Sequence, residues 1–343
     1  MLFYGNNYLL IFPSTYTINN TGAIMNIDYT GFYAQLEVCF ILLLFGFIMG
    51  KAKVLGDLAI NGMNHILSKV FIPTLIITMI TGSVTRSELF ASFDYFIASL
   101  CIYMLLLIIS KCSSKLFKFE HPSNKIFTGL MTLGNSGLLG VPLAIALFTP
   151  ENMLATSIFI VADQIIIWTV GMYLFNTEKK FQIKGNLKSK LNMITGTLIL
   201  SLMLVLLDIK LPTVLNTAIK SLSNCGLPVV MVCLGVQLSK ISAKQIFSYT
   251  PIYYIIGFKM IVIPVVIYTI ISYIGIFNYT ENLNLALMVS LPSIAMIGPI
   301  AKTNGSDYEF GTSGTLLTTI ASCLSIPFVF WLIHLADVYL LKI

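Results

Sequence analysis

The sequence predicts an all-α integral membrane protein with ten transmembrane helices in two inverted five-helix repeats, of which helices 4 and 9 are broken. Two observations indicate this class. Apolar residues make up 57% of the 343-residue chain and charged residues only 10%, with a mean hydropathy of +0.90, which lies far outside the range of soluble domains. The apolar residues also fall into ten segments close to the roughly 20 residues that cross a bilayer as a helix.

The chain divides into four parts. Residues 1–31 contain no Lys or Arg and so lack the charged start of a secretory signal peptide; we expect an extracellular N-terminal leader, unless translation begins at Met25. The first repeat should occupy residues 32–175 and the second residues 191–343. The connection at 176–190 holds five lysines and one glutamate, which predicts a basic cytoplasmic loop between the halves.

Hydropathy places the ten spans in chain order. The first five are 32–50, 59–80, 93–110, 126–148 and 153–175, and the second five are 191–207, 214–238, 252–277, 283–301 and 311–335.

The positive residues predict the orientation, because cytoplasmic connections hold an excess of Lys and Arg. Fourteen of the 20 lie in connections that follow odd-numbered spans, and four lie on the opposite side. We therefore expect a multi-pass protein of the cell membrane, surrounded by lipid, with both termini extracellular. This topology accounts for the net charge of +6 without a nucleic acid partner.

Five spans is an odd number, so a second copy of the first half must enter the membrane from the opposite side. Two proline pairs support such a duplication. Pro73 and Pro228 lie 155 residues apart, and Pro142 and Pro299 lie 157 residues apart. Inverted repeats with interrupted helices are typical of secondary transporters.

Span 4 contains the stretch LGNSGLLGVP, which should interrupt the helix. Three glycines, Gly137 among them, relax the backbone, and Pro142 lacks the N–H that the preceding turn needs. Freed backbone groups are tolerated in a membrane only where they are buried in protein or line a polar cavity. The side chains supplied at the break are Asn135 and Ser136, which predicts a small polar site at mid-membrane.

Span 9 is interrupted in the same way by SLPSIAMIGP at residues 290–299. Its candidate site residues are Pro292, Ser293, Gly298 and Pro299. For either break alone, a proline kink with glycines for close packing is the alternative interpretation. Interrupted helices in corresponding halves favour a substrate site.

Asp163 and Gln164 lie near the centre of span 5, where a carboxylate is costly unless it faces protein or water. We expect this pair to couple ion movement to transport; the alternative is a structural carboxylate that never titrates. Lys69 and Lys259 lie nearer the cytoplasmic ends of spans 2 and 8, and we expect both to snorkel to the interface.

Asn224 and Gln237 in span 7, and the Thr and Ser residues of span 10, are of types that hydrogen-bond or pack between membrane helices. An enzyme is not expected, because the sequence has no HExxH or GxSxG motif and no second acid deep in a span. The six cysteines form no CxxC pair and have no His at ligand spacing, so neither a metal nor another cofactor is predicted.

Three motifs carry a family resemblance: GNSGLLGVP in span 4, GLPVVMVCLGVQLS in span 7, and LPSIAMIGPIAKTNGSDYEFGTSGTLLTTI across spans 9 and 10. With them, the chain resembles the auxin efflux carrier family from residue 31 to its end. The resemblance implies two broken helices that cross, in the fold shared with bile-acid sodium symporters, and often a homodimer. It also implies that spans 1, 2, 6 and 7 form a scaffold, that spans 3–5 and 8–10 form a moving core, and that Asn135 contacts substrate opposite 292–299.

The predicted function is secondary transport of a small organic anion, such as malate, malonate or an auxin-like acid, by alternating access at mid-membrane. The chain lacks a long central loop and so resembles the short prokaryotic members, whose proposed substrates are small carboxylates. A proton or sodium ion is the expected co-ion, and uniport is a further alternative. The rival class is a membrane receptor or regulatory subunit that binds such a ligand without moving it.

Overall fold

The computed structural model describes residues 30–119, 123–148, 153–175 and 193–341, and in these ranges the chain forms helices and no strands. This supports the predicted all-α membrane class. The leader with Met25 and the basic loop at 176–190 lie outside the described residues, and the count of ten spans in inverted repeats stays a prediction. Within the described ranges, six helical segments are long and apolar enough to cross a membrane: Leu58–Gly82, Phe93–Leu116, Met153–Gly171, Thr213–Leu238, Thr250–Ile274 and Tyr308–Tyr339.

The helices follow one another with short connections. Those before the basic loop are α1 (Thr30–Lys51), α2 (Asp57–Ile66), α3 (Ile72–Ser83), α4 (Arg86–Ala91), α5 (Phe93–Leu116), α6 (Ser123–Thr132), α7 (Val141–Leu147), α8 (Met153–Ile166) and α9 (Met172–Phe175). Those after it are α10 (Met193–Leu206), α11 (Thr213–Asn224), α12 (Gly226–Leu238), α13 (Ala243–Ser248), α14 (Thr250–Tyr254), α15 (Ile263–Ile274), α16 (Tyr279–Ser290), α17 (Ile297–Thr303) and α18 (Tyr308–Ala336).

Several of these helices join through wider, π-helical turns. Such turns precede α3, α7 and α15, and in each case proline is the second residue of the helix that follows. A proline ring clashes with the carbonyl group four residues earlier, and a wider turn moves that carbonyl away. The helix therefore continues through each of these prolines.

The helix is interrupted at both predicted stretches. Residues 133–135 separate α6 from the π-helical turn Ser136–Gly140, which leads into α7. Residues 291–296 separate α16 from α17. We call these two short stretches together the crossover.

The most extensive helix contact among the described residues joins α1 to α12. A Cβ atom added to Gly46 would lie 2.3 Å from the carbonyl oxygen of Val232, and one added to Gly235 would lie 2.1 Å from the carbonyl oxygen of Leu43. Neither distance is possible between nonbonded atoms. The two backbones are therefore in direct contact, as is typical of membrane helices that pack through small residues.

Substitution of Gly235 by leucine should separate α1 from α12 and destabilise the protein by more than the about 1–3 kcal/mol of ordinary overpacking, because the obstruction is backbone. The measurement is the melting temperature of detergent-purified protein. Gly196→Leu in α10 is the matched control, since no atom lies within 4 Å of a Cβ built there. Equal melting temperatures for the two variants would show that the contact is not tight.

Candidate functional site

The two halves of the crossover are paired through their backbones. The N–H of Asn135 donates to the carbonyl of Pro292 over 2.8 Å, and the N–H of Ile294 donates to the carbonyl of Leu133 over 3.0 Å. The pairing is that of an antiparallel β-bridge. It satisfies backbone groups that the helix breaks release, and it holds the candidate residues of spans 4 and 9 against each other.

Hydroxyl groups satisfy further backbone atoms of the crossover. Ser293 donates its hydroxyl to the carbonyl of Leu130 over 2.6 Å, and its N–H donates to the hydroxyl of Thr318 over 3.2 Å. Thr315 donates to the carbonyl of Ile294 over 3.3 Å. The threonines of span 10 were predicted to serve close packing between helices rather than catalysis. Their spacing on α18 also places hydroxyls along the second break.

Asp163 is fully buried and joins α8 to the first break. It accepts hydrogen bonds from the hydroxyls of Tyr103 and Ser136, and a longer one of 3.4 Å from the side-chain amide of Gln164. Ser136 directly follows the crossover. These are the hydrogen bonds that a structural carboxylate would make, so the coupling role of Asp163 and Gln164 stays a prediction. Tyr103 was not singled out from the sequence, where it is one of 16 tyrosines.

The prediction that Lys259 snorkels to the interface is wrong. Its side chain is 1% exposed, and its ammonium group donates to the carbonyl of Leu291, just past the end of α16. Free carbonyls at a helix C-terminus carry partial negative charge and favour a cation. The depth of Lys259 in the membrane could have indicated its burial. It lies nine residues after α14 begins at Thr250, which is about 14 Å along the helix. That distance is close to the middle of a hydrocarbon core about 30 Å thick. Lys69 is exposed, as snorkelling requires.

Two buried ionisable side chains of opposite type therefore flank the crossover, Asp163 beside the first break and Lys259 beside the second. The carboxylate of Asp163, on α8, contacts Ser136 at the start of the half-helix that follows the first break. The ammonium group of Lys259 contacts Leu291, just past the end of the half-helix that precedes the second break. Each charge complements the partial charge of the helix end that it faces. Together they leave the crossover without a net charge of its own.

Asn135 has an unused donor. Its side chain is 2% exposed, and its amide nitrogen has no hydrogen-bond partner among the described residues. A buried donor left unpaired costs about 1–3 kcal/mol, so a partner from outside the chain would be stabilising. A carboxylate oxygen is a suitable acceptor for this group.

The remaining candidate residues lie beside the crossover. A Cβ on Gly137 would lie 2.7 Å from the end of the Met79 side chain, and one on Gly298 would lie 2.5 Å from the hydroxyl of Thr312. Pro142 is the second residue of α7, and Pro299 follows Gly298 in α17. The structure thus brings six predicted residues together at the crossover: Asn135, Ser136, Asp163, Gln164, Pro292 and Ser293.

The two polar residues of span 7 have different environments. Gln237 is fully buried and accepts a hydrogen bond of 3.0 Å from the hydroxyl of Thr312, which confirms its predicted role between helices. Asn224 is exposed at the end of α11, so its predicted role in helix packing is wrong. Burial depends on which way the helix faces, and α11 carries polar residues along much of its length.

A mainly apolar cleft lies between α1, α12 and α18, next to the crossover. Its empty volume is about 380 Å³, including space open to the outside. Thr315, which bonds the crossover, is part of its wall. The lining residues are Cys39, Phe40, Leu43, Met231, Leu234, Leu238, Thr312, Thr315, Leu316 and Thr319.

Comparison with known proteins assigns the family. A family model described as a membrane transport protein matches residues 32–330. The chain belongs to the auxin efflux carrier family. This carrier is 28% identical over 308 residues to an uncharacterized transporter of Methanocaldococcus jannaschii, an alignment that covers 86% of this chain and 97% of the relative. It is 24% identical over 293 residues to an uncharacterized transporter of Methanothermobacter thermautotrophicus, an alignment that covers 84% of this chain and 93% of the relative.

The family match confirms the resemblance drawn from the three motifs. It makes this carrier a membrane transport protein. Both relatives are named as transporters, and the alignments cover nearly their whole length. A transporter family is consistent with the expectation that the protein is not an enzyme.

Substitution of Lys259 by methionine should destabilise the carrier by about 3–5 kcal/mol, because it leaves the buried Asp163 without an opposite charge. Asp163→Asn should destabilise it for the converse reason. The double variant should recover at least half of the summed loss, since a neutral pair carries no uncompensated charge. Melting temperatures of purified protein measure this, with Lys69→Met as the exposed control. Additive losses would show that the two charges are not coupled.

Proposed function

We propose that this carrier is a secondary transporter of small organic anions, mono- or dicarboxylates such as malate, malonate or an auxin-like acid, working by alternating access at the crossover. The observation that carries the proposal is the buried, unpaired amide nitrogen of Asn135, placed where two interrupted helices meet. Such a donor gains a hydrogen bond when an acceptor from outside the chain binds beside it. In a membrane transport family, a transported solute can supply that acceptor.

The charges around the crossover suit an anion that must leave again. Asp163 and Lys259 offset each other, so the site presents no full positive charge that would hold a carboxylate tightly. Attraction comes instead from the Asn135 amide nitrogen, an uncharged donor that has no partner among the described residues. A substrate bound by such partial charges can be released on the other side of the membrane.

The architecture that supports this function is the predicted one of ten helices in two inverted repeats, with both termini extracellular and a cytoplasmic central loop. Interruptions in both halves and the proline offsets support it. In that arrangement α1 and α12 belong to the scaffold and α18 to the moving core, so the cleft between them lies at the boundary where the two parts would slide. We propose that the carrier forms a homodimer, as the family resemblance implies.

Coupling is assigned to Asp163 and Gln164, with a proton or sodium ion as the co-ion. Asp163 contacts Ser136 next to the crossover, so a change in its charge would reach the residue beside the substrate. If a proton is the co-ion, uptake by Asp163→Asn should lose its dependence on external pH. An unchanged pH profile with an unchanged rate would assign Asp163 a structural role.

Substitution of Asn135 by alanine should lower uptake at subsaturating substrate by about 10-fold or more, because a hydrogen bond to a charged partner contributes about 1.5–3 kcal/mol. The assay is uptake of labelled malonate, malate and indole-3-acetate into proteoliposomes under an imposed pH or sodium gradient. Asn224→Ala, which changes an exposed asparagine of α11, is the matched control and should keep full activity.

Two results would contradict the proposal. One is that no acid enters above the level of empty vesicles under any gradient. The other is that Asn135→Ala transports as fast as the control variant.

Alternating access predicts that a thiol at the crossover can be labelled from either side. Ser136 and Ser293 are 1% and 0% exposed, so Ser136→Cys and Ser293→Cys, in protein whose six native cysteines are replaced, should be protected at rest. During turnover with malonate, membrane-impermeant maleimide should reach both from each face in turn. Labelling from one face under every condition would favour a receptor that binds without transport.

A further inference from the structure

Trp168 is placed unusually for a tryptophan of a membrane protein. It is 2% exposed, whereas tryptophans of such proteins concentrate at the membrane–water interface and are seldom fully buried. The other tryptophan, Trp331, is 50% exposed and stacks on Phe328 with ring centroids 5.5 Å apart. A buried indole N–H needs an acceptor. That of Trp168 donates to the side-chain oxygen of Gln164 over 2.7 Å.

This hydrogen bond determines which way the Gln164 amide faces. An indole N–H can only donate, so the amide oxygen must be on the side of Trp168 and the amide NH2 on the side of Asp163. The opposite orientation would bring two donors together at Trp168 and two acceptors together at Asp163. Both contacts thus require the same orientation, and the NH2 group lies 3.4 Å from the Asp163 carboxylate.

The bonds form a continuous chain from Trp168 to the crossover. Trp168 and Gln164 are four residues apart and therefore neighbours on one helix face. Gln164 donates to Asp163, and Asp163 accepts from Ser136, the residue after Asn135. Every side chain in this chain of bonds is at least 97% buried, so water cannot readily replace a missing link.

We propose that Trp168 is a positioning residue for the crossover: through the orientation of Gln164 it holds Asp163 against Ser136, and so fixes the backbone beside Asn135. Its effect on transport rests on the proposed function, whereas the hydrogen-bond chain itself does not. Without the indole N–H, the Gln164 amide is free to turn its oxygen toward Asp163. The carboxylate then loses a donor and gains a repelling neighbour, and its hold on Ser136 weakens.

The first experiment tests the bond without any ligand. In the Trp331→Phe protein, Trp168 is the one remaining tryptophan, and ultraviolet resonance Raman spectroscopy reports whether its indole N–H is hydrogen-bonded. We expect a bonded N–H in this protein and a non-bonded one after the further change Gln164→Met, which keeps the side-chain length but removes the acceptor. An unchanged N–H signal would overturn the proposal, whether or not any acid is transported.

The second experiment tests the role in transport, with labelled malonate and proteoliposomes. Trp168→Phe should raise KM about 3- to 10-fold with little change in maximal rate, while Trp331→Phe leaves both unchanged. In the Gln164→Met background, Trp168→Phe should change KM less than 2-fold further, because Trp168 acts through Gln164. Multiplying effects would reduce Trp168 to a packing residue and overturn the proposal.

Gln164→Glu provides a test that leaves Trp168 in place, should Trp168→Phe fold poorly. Glutamate still accepts from the indole, so the Raman signal should stay bonded, but in its ionised form, which alkaline assay buffer favours, it offers no donor to Asp163. We expect KM to rise at least as much as in Gln164→Met. Wild-type KM in this variant would overturn the proposal, because the donor to Asp163 would then have no consequence.

Discussion

A bilayer offers no water to the backbone groups that a broken helix releases, so each of them needs a partner within the protein. At the crossover that requirement is met by reciprocal bonds between the two breaks, by hydroxyls of Ser293, Thr315 and Thr318, and by the ammonium group of Lys259. These partners come from spans 4, 8, 9 and 10. The placement of α6, the π-helical turn Ile255–Val262, α16 and α18 around one point follows from that constraint.

The positions of both breaks were readable from the sequence, because glycine and proline act through the local backbone and leave a local signal. The presence of Asn135, Ser136 and Ser293 at the breaks could be predicted for the same reason, because they are polar residues inside those stretches. The side chains that contact the breaks from other helices could not be predicted. Tyr103, Lys259 and Trp168 reach the crossover region from other helices, and which face of a span points inward is hidden when every face is apolar. Lys259 shows the cost of judging depth from a span boundary that is uncertain by several residues.

Small residues serve two different purposes in this molecule. At Gly46 and Gly235 the absence of a side chain lets α1 and α12 touch along their backbones. Near the crossover, Gly137 and Gly298 instead make room for the side chains of Met79 and Thr312. The first use sets the distance between two helix backbones, while the second gives space to single side chains. Sequence alone does not separate the two, since each appears as a glycine in an apolar span.

The burial of Asp163 and Lys259 beside the two breaks also bears on how the carrier would respond to voltage. One elementary charge moved through the full membrane potential exchanges about 2.3 kcal/mol per 100 mV. Two opposite charges that travel together exchange almost nothing, because the work done on one cancels the work done on the other. If the proposed transport movement carries both side chains, this pair would contribute almost nothing to a current measured across the membrane.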